Sequence, residues 1–564
     1  MKKDNLNNKN KDELIEIIKK IRKEKRYGLV WEDIPEEKVD NLKKNHSVLI
    51  NNKKFNLINN SDINHNVLIE SDNLDALHTL SSTFTEKIDV IYIDPPYNTG
   101  ARDWKYNNNF VDSEDAFRHS KWLNMMESRL KISKKLLNDD GIICVTIDDY
   151  ELPRLFMLLE EIFGRNNFLG NAVIRNNPGG RKSKRKIAAQ HEYALFFSKS
   201  PQTNIAKLDL NVEDKSHKYT KNDKGEWVEP RNLRKEGSDS LAKPNSPRFY
   251  PIYFDPETGQ ISSKHKLAIE ILPIDTNGKK RIWRRSKDVI DELYQKNELS
   301  IKKTKYGNQV YFEFKGGLKG ETPKSLLLDP KYSASEHGTT ELDNILGERE
   351  TFNFPKSKYA TAECIRIASS KKDAIILDFF AGSGTTGQSV LELNKEDGGN
   401  RKFILVTNNE NNIAKDVTYP RLKKVINGYS NIKREKIKGL GGNLLYYTID
   451  FVSADRTDPS LYELATNLVD TICLKENTFE KIKKTQDVHI YNNKEDHYSV
   501  IVFNEDKLNT ALKELEKTDG SYTFYIFSLG GNTFDDELEE FKKEHPKTVS
   551  VPFPQEIKKL YSSL

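Results

Sequence analysis

Residues 374–393, AIILDFFAGSGTTGQSVLEL, narrow the folds open to this chain more than any other stretch. Ala374 to Asp378 is an apolar run with the length of a buried strand, Gly382 and Gly384 supply a turn, and Thr385–Leu393 has helical spacing. Strand, glycine turn and helix in that order bring backbone close to a nucleotide-like ligand at the carboxyl end of a parallel strand. The stretch has no Gly-Lys-Ser/Thr of a phosphate loop and lacks the third glycine of a dinucleotide fingerprint. Asp378 suits a ligand with a cationic amino acid tail, its other reading being a turn or helix-cap carboxylate. The predicted ligand-facing residues are Asp378, Phe380, Ala381, Gly382, Ser383, Gly384 and Thr385.

The same alternation of strand and helix begins far upstream. Val67–Glu70, Asp89–Ile93 and Ile142–Ile147 read as strands, and Asn73–Leu80 and the stretch carrying Trp122, Met125, Met126 and Leu130 as helices. It resumes at about residue 352, with a helix at Thr361–Ser369 and a strand at Lys402–Thr407. Between about 170 and 345 the pattern gives way to basic, aromatic sequence punctuated by Pro and Gly, such as PNSPRFYPIYFDPETG. The chain therefore reads as an α/β domain split around an insertion. A short amphipathic helix is expected over residues 11–26, from Leu14, Ile17, Ile18 and Ile21. After about 445, one helix carrying Leu461, Leu464, Ala465, Leu468 and Ile472, the strand His497–Phe503, the helix Leu508–Leu515 and the strand Tyr522–Phe527 predict a small α+β domain.

Composition mainly excludes. The 564 residues allow several domains. A net charge of only +5 gives no bulk argument for nucleic acid, so only local charge counts. Cys144, Cys364 and Cys473 lack partner spacing, which excludes a disulfide framework or a zinc cluster; no metal is predicted, and a reducing cytoplasm fits. No run approaches the roughly 20 apolar residues of a membrane span, and the N-terminal MKKDNLNNKNKDEL lacks the apolar core of a signal peptide. A soluble protein with no membrane partner is expected.

The chemistry is carried by KIDVIYIDPPYNTG, an apolar strand ending in Asp94-Pro95-Pro96-Tyr97. Two prolines fix the backbone after the strand and remove two amide donors, so local carbonyls can face a substrate amine as acceptors. An exocyclic amine on adenine is a poor nucleophile because its lone pair is delocalised into the ring. Asp94 and the carbonyl of Pro95 can accept its two hydrogens, with the charged acceptor worth about 1.5–3 kcal/mol. Asp94 need not deprotonate a neutral amine, since the nitrogen becomes acidic only once methylated. Tyr97 offers a face for a base drawn out of a duplex, where stacking is worth about 1–3 kcal/mol. The plainer reading is a rigid turn after a strand.

Together the two motifs resemble the DNA amino-methyltransferases. Their order, with Asp94-Pro95-Pro96-Tyr97 first and Phe380 to Gly384 later, is similar to the circularly permuted beta class that methylates adenine N6. Closer still is the resemblance to the modification subunits of type III restriction-modification systems. It rests on YGLVWE at 27–32, DPPYNTG at 94–100, GIICVTIDD at 141–149, QHEY at 190–193 and RKFILVTNNEN at 401–411. The resemblance implies a doubly wound, mostly parallel S-adenosyl-L-methionine-dependent methyltransferase sheet and double-stranded DNA as substrate. It also implies a homodimer and a separate ATP-dependent restriction subunit, in a bacterial cytoplasm at the nucleoid. By position it gives Asp72, with Asn73, to the cofactor adenine, although Ser71 stands where glycine is usual. It gives Lys356, in Phe354-Pro355-Lys356-Ser357, to the methionine end, and Glu410 to the ribose. As plain residues, Asp72 and Glu410 are carboxylates that follow strands.

Local charge lies in the insertion. Arg175 to Lys186 holds six basic residues and no acid, and KKRIWRRSK at 279–287 holds six in nine around Trp283. Phosphate neutralisation supplies affinity, and Arg and aromatic side chains read bases or fill the gap left by a flipped one. The predicted DNA contacts are Arg181, Lys182, Arg281, Trp283, Arg284 and Arg285, against the alternative of a solvated basic face. Tyr193, Phe196 or Phe197 is a candidate opposite wall of the base pocket, though ALFF also suits a core strand. On this reading 1–46 is an N-terminal helical assembly segment, 47–200 the catalytic half, 201–349 the target-recognition domain, 350–440 the cofactor half and 441–564 a C-terminal assembly domain. The rivals are a stand-alone adenine or cytosine-N4 methyltransferase and a non-catalytic DNA-binding protein on the same fold.

Overall fold

A computed structural model describes residues 31–553 apart from Pro35, 60–64, Asn108, 181–186, 209–217, 316–319, 350–351, Asn353, Arg456, Lys494 and Gly531. The helix expected over 11–26 and the predicted DNA contacts Arg181 and Lys182 lie outside the described residues. Two compact units divide the chain: Lys207–Pro323, and everything before and after it.

The larger unit is built on a sheet whose strands are β1 (Asn45–Asn51), β2 (His65–Glu70), β3 (Ile88–Ile93), β4 (Leu137–Ile147), β5 (Phe168–Ile174), β6 (Glu192–Ser198), β7 (Leu326–Leu327), β8 (Ile375–Asp378), β9 (Lys402–Thr407) and β10 (Asn443–Ser453). Their order across the sheet is β1-β10-β2-β9-β8-β3-β4-β6-β5-β7. The run from β10 to β4 is parallel throughout. Parallel strands covered on both faces need apolar residues at successive positions, and β3 supplies them: Val90, Ile91, Tyr92 and Ile93 are all buried. The centre is interleaved from distant sequence. β3 pairs with β8 through Val90↔Ile376 and Ile91↔Leu377, so the ends of these strands, where Asp94 and the glycine turn begin, emerge at one edge.

Helices cover both faces, among them α1 (Glu37–Lys44), α2 (Asn73–Leu80), α3 (Arg118–Leu136), α4 (Thr385–Asp397) and α5 (Tyr419–Asn427). Asp72 caps α2 by accepting the Leu74 amide at 2.9 Å. No helix among the described residues is long and apolar enough to cross a membrane.

Several boundaries differ from the sequence pattern. Asn443–Ser453 belongs to the large sheet, between β1 and β2, because Leu444, Leu445, Tyr446 and Tyr447 form a buried strand. The compact inner unit ends at Pro323; beyond it Leu326 and Leu327 pair with Val173 and Ile174 of β5. The expected single helix through Leu461 and Ile472 is two, Asp458–Asn467 and Val469–Glu476, broken where ψ of Leu468 falls to −3°. The break still places Leu464, Ala465, Leu468 and Ile472 in one cluster with Val48, Ile501 and Tyr525. This cluster joins the large sheet to a second one, made of Glu480–Lys484, Val488–Asn492, His497–Val502, Ser521–Phe527 and Thr548–Phe553.

The Lys207–Pro323 unit carries short antiparallel strands, including Trp227–Asn232, Leu299–Thr304 and Gly307–Phe314, and the helix Lys287–Gln295. Trp283 is not on its surface. The indole is 2% exposed, donates to the Tyr250 carbonyl at 2.8 Å, and packs with Leu233, Ile252, Ile290, Val310 and Phe312. A run of six cations in nine residues therefore conceals a core residue: the one large apolar ring in it is buried, Arg281 and Arg284 beside it are half-buried, and Arg285 is exposed. Arg281 is paired with Asp275 at 2.8 Å, Arg284 donates to the Asn232 carbonyl, and Arg285 lies over the Phe312 ring. Trp283→Ala should accordingly destabilise this unit by about 3–5 kcal/mol, whereas Arg285→Ala should change it by no more than about 0.5 kcal/mol. Denaturant unfolding of both variants measures the difference, and equal small effects would contradict the buried placement.

Candidate active site

At the end of β3 the chain turns sharply, and the turn is held from beneath. Asn98 has a positive φ of 56° and is completely buried. Its amide donates to Glu151 at 2.6 Å and to the Arg118 carbonyl, and its oxygen accepts the Trp104 indole N–H at 3.2 Å. The Trp122 indole donates to the Pro96 carbonyl at 2.7 Å, whereas no described residue donates to the carbonyl of Pro95. The prolines and these bonds fix the loop without using that acceptor.

Three donors converge on one oxygen of Asp94. Thr146 Oγ1 lies 2.7 Å, the Tyr97 hydroxyl 2.9 Å and Lys356 Nζ 3.0 Å from Oδ1, and Oδ2 receives no hydrogen bond from a described residue. The carboxylate is thus anchored through one oxygen and offers the other. Lys356 also reaches Glu192 at 2.5 Å and the Tyr97 hydroxyl. Glu192, 2% exposed, accepts from Asn176 at 2.6 Å and lies 3.0 Å from the Tyr97 hydroxyl. Burial pushes the Asp94 carboxyl above the ordinary carboxylate range; Lys356 pulls against this and Glu192 adds to it. Burial works against the charge on Lys356, but Asp94 and Glu192 outweigh it and hold the ammonium firmly protonated. Burial, with Asp94 and Glu192 beside it, raises the Tyr97 phenol far above its usual range.

The glycine turn follows β8. Gly382 and Gly384 adopt φ of 49° and 78°, and a Cβ on Gly384 would press on Thr418 at 3.1 Å. Asp378, 2% exposed, accepts the Phe380 amide at 2.9 Å and the Thr386 hydroxyl at 2.5 Å, one on each oxygen. Each oxygen thus accepts a donor from the turn itself, which matches the turn-carboxylate reading of Asp378, and burial raises its pKa to about 7. From α5, Arg421 is fully buried behind the turn and donates to the Ser383 carbonyl, Ser383 Oγ and Thr385 Oγ1, and to Gln388.

The other predicted cofactor residues gather around this edge in different ways. Asn73 donates to the Phe379 carbonyl at 3.1 Å, tying the start of α2 to the end of β8. Asp72 pairs with Lys38 of α1 at 2.5 Å and with Arg129 of α3 at 3.5 Å; these cations outweigh burial and lower its pKa. Glu410 is paired with Lys105 at 2.5 Å. Lys356, assigned by resemblance to the methionine end of the cofactor, is bonded to the Asp94 loop. Phe196 and Phe197 are core residues of β6 and form no wall of a pocket, while Tyr193 is half-buried and shares hydrogen bonds with His191 and Asp149. Sequence reasoning missed Thr146, Asn176, Glu192 and Arg421. A polar residue at a strand end or in a helix is visible in the sequence, but its aim is not.

The family described as DNA methylase matches residues 88–418, a stretch holding both turns. This chain belongs to that family. The methylase is 35% identical to the type II methyltransferase M.KpnI of Klebsiella pneumoniae over 69% of its own length and 96% of that protein. It is 30% identical to the type III restriction-modification enzyme EcoPI Mod subunit of Escherichia phage P1, over 64% of this chain and 60% of that one. The chain thus spans about 60% of that type III relative's length. Among solved structures it is similar to PvuII DNA methyltransferase (cytosine-N4-specific), with 14% identity, a TM-score of 0.32, and coverage of 64% of this chain and 87% of the other.

One glycine outside both motifs positions Lys356 in the methylase. A Cβ on Gly338 would stand 2.2 Å from the Pro355 carbonyl oxygen, closer than any side chain can stay, so Gly338→Ala must shift the Pro355–Lys356 backbone or the helical turn that carries residue 338 against it. Overpacking of this kind costs about 1–3 kcal/mol. The variant should remain folded by circular dichroism and lose most of its methyl transfer; wild-type transfer rates would show that the Lys356 segment does not matter.

Proposed function

We propose that this DNA methylase transfers a methyl group from S-adenosylmethionine to N6 of adenine in duplex DNA, at a base turned out of the helix, as the modification subunit of a type III restriction-modification system. The observation that carries the chemistry is the anchoring of Asp94 through Oδ1 with Oδ2 left to a substrate, beside a Pro95 carbonyl that no described donor uses. The type III assignment, the homodimer and the separate ATP-dependent restriction subunit are supported by the sequence resemblance and by the Mod subunits among the relatives. The order of the two turns supports a circularly permuted sheet.

The residues at the glycine turn fit the cofactor. The turn bears no side chain at Gly382, where the nearest atom to an added Cβ is 3.6 Å away in Phe352, so backbone is open to a ligand. Gly382–Gly384 would hold the amino acid end, and Asp72, Phe380 and Glu410 the nucleoside. The bound cofactor supplies a methyl group made electrophilic by its sulfonium. Everything else falls to the chain. Asp94 Oδ2 and the Pro95 carbonyl accept the two amine hydrogens, turning the nitrogen lone pair out of conjugation with the ring. After methylation the nitrogen is strongly acidic, and Oδ2 is placed to take its proton. Tyr97, tethered at its hydroxyl, stacks on the base, which is worth about 1–3 kcal/mol against the cost of flipping.

The Lys207–Pro323 unit reads the sequence, using outward cations such as Arg285 on phosphates. Exchanging it for the matching segment of a relative should change the methylated site while N6-methyladenine remains the product. Sequencing of methylated DNA with nucleoside chromatography reads both, and an unchanged site would remove the unit from recognition.

The two turns are separable by measurement. Asp94→Ala should lower methyl transfer by about 10²–10⁴-fold while calorimetry still detects S-adenosylmethionine binding. Gly382→Val forces a branched side chain into positive φ where backbone must meet the ligand, so binding itself should fail. Near-normal transfer by Asp94→Ala would overturn the assignment of the catalytic loop.

A further inference from the structure

Two carboxylates at the active site share one buried cation. Lys356 Nζ lies 3.0 Å from Asp94 and 2.5 Å from Glu192, and it stands 4.7 Å from the centre of the Tyr97 ring. Glu192 Oε2 accepts from Lys356 and Asn176 and lies 3.0 Å from the Tyr97 hydroxyl, whose proton also faces Asp94. Nothing about packing requires a charge there, because β6 continues into Ala194, Leu195, Phe196 and Phe197, all buried. An uncompensated buried carboxylate is expensive, and a buried ion pair is often no more stable than apolar residues of the same volume. The cluster must therefore be explained by what it does to Asp94.

We propose that Lys356 and Glu192 act as a positioning ion pair for Asp94, the lysine holding the carboxylate charged with Oδ2 turned to the base, and the glutamate holding the lysine. The proposal rests on the catalytic assignment of Asp94 made above. Lys356 alone would be free to follow Asp94 or leave with solvent; Glu192, itself fixed by Asn176, pins the ammonium against Oδ1. The lysine then works on Asp94 twice, by orientation and by charge. The groups facing Asp94 are Tyr97 from its own loop, Thr146 from β4, Glu192 from β6, Lys356 from the segment before the glycine turn, and, through the field, Tyr92 of β3 and Asp378 of β8. Of these, Lys356 favours the charged carboxylate by its cation, Thr146 by its hydrogen bond, and Glu192 opposes it as a like charge.

The signs are opposite, which makes the test decisive. Methyl transfer from labelled S-adenosylmethionine to unmodified genomic DNA is followed from acid to neutral pH, and the acid limb of kcat reports protonation of Asp94. Lys356→Met removes the cation and should move the limb to higher pH. Glu192→Gln removes the like charge and should move it to lower pH, with a reduced kcat because Lys356 is less firmly held. The double variant should return the limb toward wild type, and Lys356→Arg, which keeps the charge, should leave the limb in place while lowering kcat. Charge alone would shift the limbs and leave the plateau kcat unchanged, so the lowered kcat of Glu192→Gln and Lys356→Arg is what marks positioning; limbs that stay fixed, limbs that both move the same way, or plateau rates at the wild-type value overturn the proposal. If Lys356→Met does not fold, the Glu192→Gln and Lys356→Arg profiles decide alone. Asp94→Asn separates the two levels: near-normal transfer by it overturns the catalytic reading, whereas loss of transfer with unmoved limbs in the other variants overturns only the ion-pair role.

Discussion

The pairing of β3 with β8 is the constraint on which the rest depends. Two strands nearly three hundred residues apart lie side by side and parallel, in register through Val90↔Ile376 and Ile91↔Leu377. Side chains in a sheet repeat every second residue, so a slip of one would turn each buried side chain to the opposite face. Val90, Ile91, Ile376 and Leu377 are all buried, so a slip here would force both packed faces to repack at once, and the pairing fixes the distance between Asp94 and the glycine turn. Strand pairing, not the connecting chain, sets that distance, so a separate compact unit, Lys207–Pro323, can intervene in the sequence between β3 and β8.

Charge is then buried at this edge in quantity. Arg129 is fully enclosed and is held by Glu36 at 2.6 Å, with Asp72 and Asn73 as further partners, while Arg421 behind the glycine turn forms no ion pair with a described carboxylate. Burial brings the Arg421 pKa down to about 10, which still leaves it charged at neutral pH. A guanidinium can be kept in such a place because its planar fork finds Ser383, Thr385 and Gln388 together. These groups rigidify a turn made of residues with almost no side chain. The flexibility that lets backbone approach a ligand is thus offset by hydrogen bonds from below.

Much of this was legible in the sequence because it rests on local pattern. The strands at β2, β3, β8 and β9 and the helix at Asn73–Leu80 follow from apolar runs and period alone. Where the reading failed, a long-range partner decided. Asn443–Ser453 reads as the start of a C-terminal domain until Leu445↔Val67 places it in the central sheet. Trp283 reads as part of a basic surface until the Tyr250 carbonyl and Phe312 enclose it. Asp378 carried two readings, and only the Phe380 and Thr386 bonds choose between them.

The hidden half of the active site has a topological cause. In the sheet, β3 and β4 are parallel, β6 runs against β4, and β5 runs against β6. The carboxyl ends of β3, β4 and β5 and the amino end of β6 therefore meet at one edge. Asp94 follows Ile93, which pairs with Val145, so Thr146 stands beside it; Glu192 opens β6 opposite Ile174, which puts Asn176 within reach. Each of these residues looks like an ordinary polar strand terminus, and their convergence exists only after two reversals of strand direction. Asp94-Pro95-Pro96-Tyr97 was legible because its chemistry is contained in four consecutive letters. The ion pair that orients it was not, because it is written in the strand order.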